Sequence, residues 1–166
     1  INHMRIHIKN KYLSIDNYKV KCAIGKRGIN VKKKEGDLIT PRGLFKIKFI
    51  LYRKDRISNL KTKIKKIAIN KSMGWCDDPR SVCYNKLINL PFKYSAEKLH
   101  RTENTYDIIL VLNYNMSPII KNKGSAIFIH IAKNNFKKTA GCIAIRKISI
   151  KKIASMINKK TLVKIS

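Results

Sequence analysis

The chain has 166 residues, with 38 Lys and Arg against 9 Asp and Glu, so its formal net charge is +29. This length suits one domain with a hydrophobic core, and the apolar fraction of 44% is that of a globular protein. No run approaches about 18 consecutive apolar residues, so no membrane insertion is predicted. The four cysteines, at 22, 76, 83 and 142, are too few and too irregularly spaced for a disulfide scaffold.

The apolar residues recur mainly at every second position and are rich in Ile and Val, which is typical of strands. In chain order we expect strands at 5–8, 12–15 and 18–24, a glycine-containing basic loop that ends at Asp37, a turn at 40–43, strands at 44–52 and 64–69, an irregular stretch at 70–105, strands at 106–112, 126–132 and 141–145, a helix at 148–157 and a strand at 162–165. The sequence thus predicts one mainly β domain with one or two short helices.

The first three residues read as a cloning remnant, which gives a predicted domain of residues 4–166. No apolar segment of a secretion signal follows Met4. If Met4 is the natural start, we expect a cytoplasmic protein with reduced cysteines. If a signal peptide was trimmed, we expect a periplasmic or cell-wall location.

The high net charge suggests an anionic partner, such as nucleic acid, a membrane surface or a wall polymer. Most of the basic residues are lysines, however, and they are spread between apolar positions. Proteins that read bases favour Arg and cluster their charge on one face. Nucleic acid is therefore not predicted as an obligate partner, although salt-sensitive non-specific binding is expected.

A histidine and a cysteine carry the strongest chemical signal. His130 ends an apolar run, and Cys142 follows Gly141 a short distance later. A histidine beside a cysteine takes the thiol proton so that the thiolate can attack, and a preceding glycine lets backbone amides approach a developing oxyanion. From this pair alone, a buried structural cysteine beside a strand-end histidine is the favoured alternative.

A wider set of short motifs reverses that preference. In chain order these are Gly36-Asp37-x-x-Thr40-Pro41-x-Gly43-x-Phe45, Gly74-Trp75-Cys76-Asp77-Asp78-Pro79, Tyr84-Asn85, Tyr106-Asp107, Gly124-Ser125-Ala126-Ile127-Phe128-Ile129-His130 and Thr139-Ala140-Gly141-Cys142. Together they resemble the L,D-transpeptidase catalytic domain, or YkuD-like, family over nearly the whole chain. In particular, the chain looks like the short branch of that family, which lacks a secretion signal.

The resemblance implies a β-sandwich-like fold whose site lies in a cleft covered by a loop. It implies acyl transfer on peptidoglycan stem peptides, with no metal and no cofactor. Cys142 would be the nucleophile and His130 its general base. Gly141 and the backbone around Cys142 would form the oxyanion hole, and Thr139 stands where the family usually has Ser.

The sequence departs from the commonest family pattern at three points. Ala140 replaces a second His, Ala144 replaces an Arg, and the interval between His130 and Cys142 is shorter than usual. These changes leave the acceptor of the acyl group open. The resemblance therefore implies either an L,D-transpeptidase, which uses an amine, or an L,D-carboxypeptidase, which uses water, and we expect hydrolysis in peptidoglycan recycling slightly more than cross-linking.

Six residues are candidate substrate contacts: Trp75, Asp77, Tyr84, Asn85, Arg101 and Arg146. Trp75 would form an apolar wall and Asp77 would bind an amine, whereas Arg101 would clamp a carboxylate. For the acidic loop, the alternative is that its aspartates bind turn amides before Pro79. Cysteine and histidine spacing predicts no metal site. The alternative function for the whole chain is a non-catalytic basic module that binds nucleic acid or an anionic wall polymer.

Overall fold

The protein is described by a computed structural model that covers residues 4–166, so the cloning-remnant interpretation of residues 1–3 lies outside the described residues. Within these residues, one α-helix, α1 (Lys147–Met156), and a 3-10 turn at Asn134–Phe136 accompany the strands. The strands in chain order are β1 (Arg5–Lys9), β2 (Tyr12–Ile15), β3 (Tyr18–Lys21), β4 (Ile29–Asn30), β5 (Thr40–Pro41), β6 (Gly43–Tyr52), β7 (Lys66–Ala68), β8 (Met73–Cys76), β9 (Leu87–Asn89), β10 (Ala96–Lys98), β11 (Ile108–Leu112), β12 (Phe128–Ile131), β13 (Ile143–Ile145) and β14 (Leu162–Ile165).

Nine strands form one large sheet in the order β13-β12-β11-β6-β14-β1-β2-β3, with β7 paired to β6 at its side. The two ends of this sheet meet again, because Ala23, just after β3, and Ala144 in β13 exchange backbone hydrogen bonds of 2.8 and 2.9 Å. The sheet is therefore nearly closed. The seam runs beside Cys142, which lies two residues before Ala144.

The hydrophobic core has two parts that lie on opposite faces of β11. Ile108, Leu110 and Leu112 point into the larger cluster, which also contains the buried face of α1. Ile109 and Val111 point into a smaller cluster. All five residues of β11 are buried, which explains why this segment is a continuous apolar run rather than an alternating one.

The α-helix presents one apolar face to the larger cluster. Its buried residues are Ser149, Ile150, Ile153 and Ala154, at the three- and four-residue spacing of one helix face. In the described part of the chain, no helix is long and apolar enough to cross a membrane.

The prediction of a mainly β fold with a short helix is confirmed. Three local predictions need correction. The strand predicted at 18–24 ends at Lys21, and the predicted turn at 40–43 instead contains β5, which pairs in parallel with β4. The irregular stretch at 70–105 contains a separate sheet, in which β8 lies between β10 and β9. These strands are three or four residues long, too short to show alternation in the sequence.

Candidate active site

The parallel pairing of β12 and β13 brings His130 and Cys142 to the same face of the sheet. His130 lies opposite Ala144, and successive residues of a strand point to opposite faces. His130, Ala144 and Cys142 therefore share a face, whereas Ile129 and Ile143 point into the larger core cluster. Cys142 packs beside the smaller cluster, diagonally across from His130.

The Cys142 side chain is held by the backbone of the preceding strand. Its Sγ donates a hydrogen bond to the Ala126 carbonyl at 3.0 Å and accepts one from the Phe128 amide at 3.4 Å. Burial, with a contribution from the nearby Glu97 carboxylate, raises the pKa of the Cys142 thiol to about 12. In the resting site the sulfur is thus a neutral thiol, and its hydrogen must turn away from Ala126 before a base can accept it.

The His130 ring is fixed in the tautomer that a general base needs. Its Nδ1 lies 3.0 Å from the Ile131 carbonyl oxygen, and because a carbonyl only accepts, Nδ1 carries the hydrogen. This leaves Nε2 free to accept a proton. The Tyr106 ring packs edge-on against the imidazole, with the ring centroids 5.4 Å apart. The carboxylate of Asp107 pairs with Arg56 at 3.1 Å, so it is the Ile131 backbone carbonyl that orients the imidazole.

The pH dependence of the site follows from the state of His130. Burial, with the positive charges of Arg101 and Lys133 adding to it, lowers the pKa of His130 to about 4. Only the unprotonated imidazole can take the thiol proton, so activity is expected to persist in mild acid and to fall as the pH drops through about 4. Measuring kcat/KM against pH, with the fold checked by circular dichroism at each pH, tests this expectation. An acid limb near about pH 6.5, the value of an unperturbed histidine, would contradict it.

Two threonines hold the turn before Cys142. Thr139 Oγ1 donates to the Cys142 carbonyl at 2.6 Å and accepts from the Gly141 amide at 3.1 Å. Thr40 Oγ1 donates to the Gly141 carbonyl at 2.8 Å and accepts from the Gly25 amide at the same distance. Thr139 and Thr40 therefore fix this turn from its two sides.

The same contacts bear on the predicted oxyanion hole. The Gly141 amide is occupied by the Thr139 hydroxyl. Within residues 4–166, none of the hydrogen bonds involves the Cys142 amide, so this is the amide available to a developing oxyanion. The assignment of an oxyanion hole to this turn stays a prediction.

Three of the predicted substrate contacts are buried supports of the site. Trp75 Nε1 donates to Asn85 Oδ1 at 3.0 Å, and the same oxygen accepts the Ala126 amide at 3.1 Å. The Tyr84 hydroxyl accepts the Gly124 amide at 2.9 Å. These side chains hold the segment whose Ala126 carbonyl binds the Cys142 thiol.

The other three predicted contacts lie in different places. Asp77 lines the cleft beside Cys142, and its buried Oδ1 has no hydrogen-bond partner among the described residues. Arg101 lines the cleft beside His130, with its guanidinium 4.2 Å from the centroid of the Tyr106 ring. Arg146 precedes α1 on the surface, where it packs against Phe136 and lines neither part of this cleft.

The cleft around the pair has two parts of opposite charge, which meet at Ala140. The part beside His130 has a volume of about 270 Å³, and its charged lining residues are all basic: Lys26, Arg101, Lys133, Lys137 and Lys138. The part beside Cys142 has a volume of about 160 Å³ and contains Glu35, Asp77 and Glu97 together with Lys32. With 9 acidic residues in the whole chain, three in one small cleft are a marked concentration.

Sequence reasoning missed Glu35, Glu97 and Lys32. Glu35 accepts hydrogen bonds from Tyr84 at 2.7 Å and from Ser125 at 2.6 Å. Glu97 accepts from the Tyr106 hydroxyl, and burial raises the pKa of its carboxyl. The sequence offered one sign that Glu35 is unusual, because it is a single acidic residue directly after the three lysines 32–34. It offered no such sign for Glu97.

These observations define a class of protein, a mostly β domain with a cysteine–histidine pair in a charged cleft. The family profile described as the L,D-transpeptidase catalytic domain, YkuD, matches residues 3–165. The chain belongs to this family, in agreement with the resemblance of its motifs.

Comparison with solved structures supports the fold. The chain is similar to Bd1075 of Bdellovibrio bacteriovorus, with 16% sequence identity and a TM-score of 0.52. The match covers 99% of this chain and 48% of that one, so the chain spans about half the length of Bd1075. No curated protein sequence matches the chain.

Proposed function

We propose that the chain catalyses cysteine-dependent acyl transfer on peptidoglycan stem peptides. The observation that carries this proposal is the shared face of His130 and Cys142, with Nε2 of His130 left free by the Ile131 carbonyl. This is the arrangement of a nucleophile beside its base. Membership of the L,D-transpeptidase family supports peptidoglycan as the class of substrate.

The proposed first step is attack on the L,D bond of a tetrapeptide stem. His130 takes the proton of the Cys142 thiol, and the sulfur bonds to the carbonyl carbon of the third residue, a diamino acid. The imidazolium then returns the proton to the amine of the departing D-Ala as the C–N bond breaks, which leaves a thioester on Cys142. Water or an amine resolves the thioester in the second step.

The charges of the cleft suit such a stem peptide. A diamino acid stem carries carboxylates along its length and one free side-chain amine. The five basic residues beside His130 match the carboxylates, and the carboxylates beside Cys142 match the amine. Asp77 Oδ1, which has no hydrogen-bond partner within residues 4–166, is the atom with most to gain from an ammonium donor.

The size of the cleft supports hydrolysis over cross-linking. Its two parts, of about 270 and 160 Å³, together reach the lower range of sites that hold one small ligand. A donor stem would fill this space, and water would then meet the thioester more readily than the amine of a second stem. Hydrolysis would trim tetrapeptides during recycling, in a cytoplasmic location. Transpeptidation would require a location outside the membrane.

Mass spectrometry of a purified disaccharide-tetrapeptide, incubated with the protein and with Cys142→Ala, tests the proposal. Loss of one D-Ala that depends on Cys142, without dimers, is the expected result. Cross-linked dimers would instead identify a transpeptidase and a location outside the membrane. No change in either sample would overturn the proposal and favour the basic binding module, whose affinity for an anionic polymer should fall steeply with salt.

A further inference from the structure

A buried lysine lies behind the turn that carries Cys142. The Lys32 ammonium donates to Asp37 Oδ1 at 2.7 Å and to the Ile39 carbonyl at 3.1 Å, and the Lys32 and Asp37 side chains are 3% and 4% exposed. The free energy lost when such an ion pair is removed from water can exceed the free energy gained from the attraction between its charges. The pair is therefore weak evidence of a purely stabilising role.

The Lys32 ammonium has one N–H left for the cleft. An ammonium donates three hydrogen bonds, and Asp37 and Ile39 account for the two that Lys32 Nζ makes within residues 4–166. The residue lines the part of the cleft that contains Cys142. A fixed positive charge with an unused donor therefore borders the space beside the nucleophile.

Two glycines make room for this side chain. A Cβ on Gly124 would overlap the aliphatic stem of Lys32, and a Cβ on Gly141 would lie 3.6 Å from its ammonium nitrogen. Gly141 directly precedes Cys142 in the chain. The absence of both side chains brings the ammonium close to the backbone of the nucleophile turn.

We propose that Lys32 supplies the positive charge that stabilises negative charge at the Cys142 centre, first on the thiolate and then on the tetrahedral oxyanion. The proposal rests on the proposed function only in taking Cys142 as the nucleophile. Asp37 holds the ammonium in place as its partner in the buried pair, and Asp37 is not among the residues that line the cleft.

Several groups besides Lys32 affect the formation of negative charge at Cys142. The titratable and charged groups around this centre are His130, Arg101, Glu35, Asp77, Glu97 and Tyr106. Burial and Glu97 raise the pKa of the thiol, and Lys32 and Arg101 lower it. Because burial and the Glu97 carboxylate oppose a thiolate, a fixed cation beside the cleft favours its formation.

Alkylation of Cys142 by iodoacetamide measures this effect without any substrate. The rate at each cysteine is followed by peptide mass spectrometry in the wild-type protein, in Lys32→Met and in the exposed neighbour control Lys33→Met. Lys32→Met is expected to slow alkylation of Cys142 about three- to tenfold at a fixed pH near 8, because the thiolate fraction falls tenfold for each unit of increase in pKa. Lys33→Met, with the same change of charge, should leave the rate within about twofold.

Asp37 provides a variant of opposite sign. Asp37→Asn keeps the ammonium but removes its counter-charge, so alkylation of Cys142 should become faster than in the wild type. The double variant Lys32→Met, Asp37→Asn removes both buried charges, so its Cys142 should be alkylated more slowly than in the wild type but faster than in Lys32→Met, which keeps the Asp37 carboxylate. If circular dichroism shows that Lys32→Met is unfolded, the alkylation rates of the double variant and of Asp37→Asn test the proposal in its place.

Equal alkylation rates in the wild type and in the folded variants would overturn the proposal, as would an equal slowing by Lys33→Met. The outcome is separate from the proposed function. A protein that leaves the tetrapeptide unchanged but shows this charge dependence at Cys142 would retain the role of Lys32 and lose the substrate.

Discussion

Replacing Cys142 by Ala is expected to lower the rate of D-Ala release at least about 1,000-fold, because no other group can form the thioester. Cys142 is half-buried, and its Sγ makes two hydrogen bonds to the backbone of the neighbouring strand segment. The smaller Ala side chain fits the same space. The loss should therefore appear in kcat, with the thermal midpoint of unfolding nearly unchanged.

The matched control for this variant is Cys83→Ala. Cys83 is also a half-buried free cysteine, but it does not line the cleft. Cys83→Ala should keep full activity. Activity retained by Cys142→Ala, or lost equally in Cys83→Ala, would show that the thiol at 142 is not the nucleophile.

Gly141→Ala should have the second largest effect, a loss of activity of about 100-fold or more together with a lower thermal midpoint. Gly141 has φ +147°, in the region that L residues rarely adopt, and its added Cβ would lie 3.0 Å from the Ile39 carbonyl oxygen. Strain of this kind costs about 1–3 kcal/mol. Relief of the strain would shift the backbone that positions Cys142, and displacements of about 1 Å are costly to catalysis.

Gly28→Ala is the control that adds backbone strain at a positive φ without a steric contact that could displace the turn before Cys142. Gly28 also has a positive φ, +76°, but nothing lies within 4 Å of the position of an added Cβ. This variant should lower the thermal midpoint without a comparable loss of activity. If Gly141→Ala retained wild-type activity, the tightness of the turn before Cys142 would not matter to the reaction.

The elements predicted best were those with strong alternation or a continuous apolar run. Strand β6 and the buried strand β11 could each be predicted from their own residues, because their β-branched and aromatic residues strongly favour strand structure. The three short strands of the separate sheet could not be predicted in this way. Their pairing is decided by contacts between segments far apart in sequence, such as Trp75 opposite Leu87 and Glu97.

In the candidate site, too, some residues could be predicted from the sequence and others could not. The motif that ends at Cys142 and the apolar segment that contains His130 pointed to their pairing. Trp75, Tyr84 and Asn85 resembled cleft residues, but they support the site from within the core. An aromatic or amide side chain in a loop carries no local sign of which side of the backbone it will occupy.

The buried lysine shows most clearly what a single sequence does not reveal. Lys32 stands in a run of three lysines, and its two neighbours in that run are exposed. Its burial depends on Asp37 nearby and on Gly124 and Gly141, which lie far along the chain. No local pattern distinguishes one lysine of the run from the next, so its place beside Cys142 emerges only from the fold.

The role of Cys142 as the nucleophile is tested most directly by the mass of the protein itself during turnover. The protein is mixed with disaccharide-tetrapeptide, quenched in acid within seconds and examined intact and after proteolysis. If Cys142 is the nucleophile, the protein should carry an adduct equal to the disaccharide-tripeptide acyl group, located on the peptide that contains Cys142 and absent from Cys142→Ala. Turnover without an adduct in the rapidly quenched samples, or an adduct on another residue, would contradict this role.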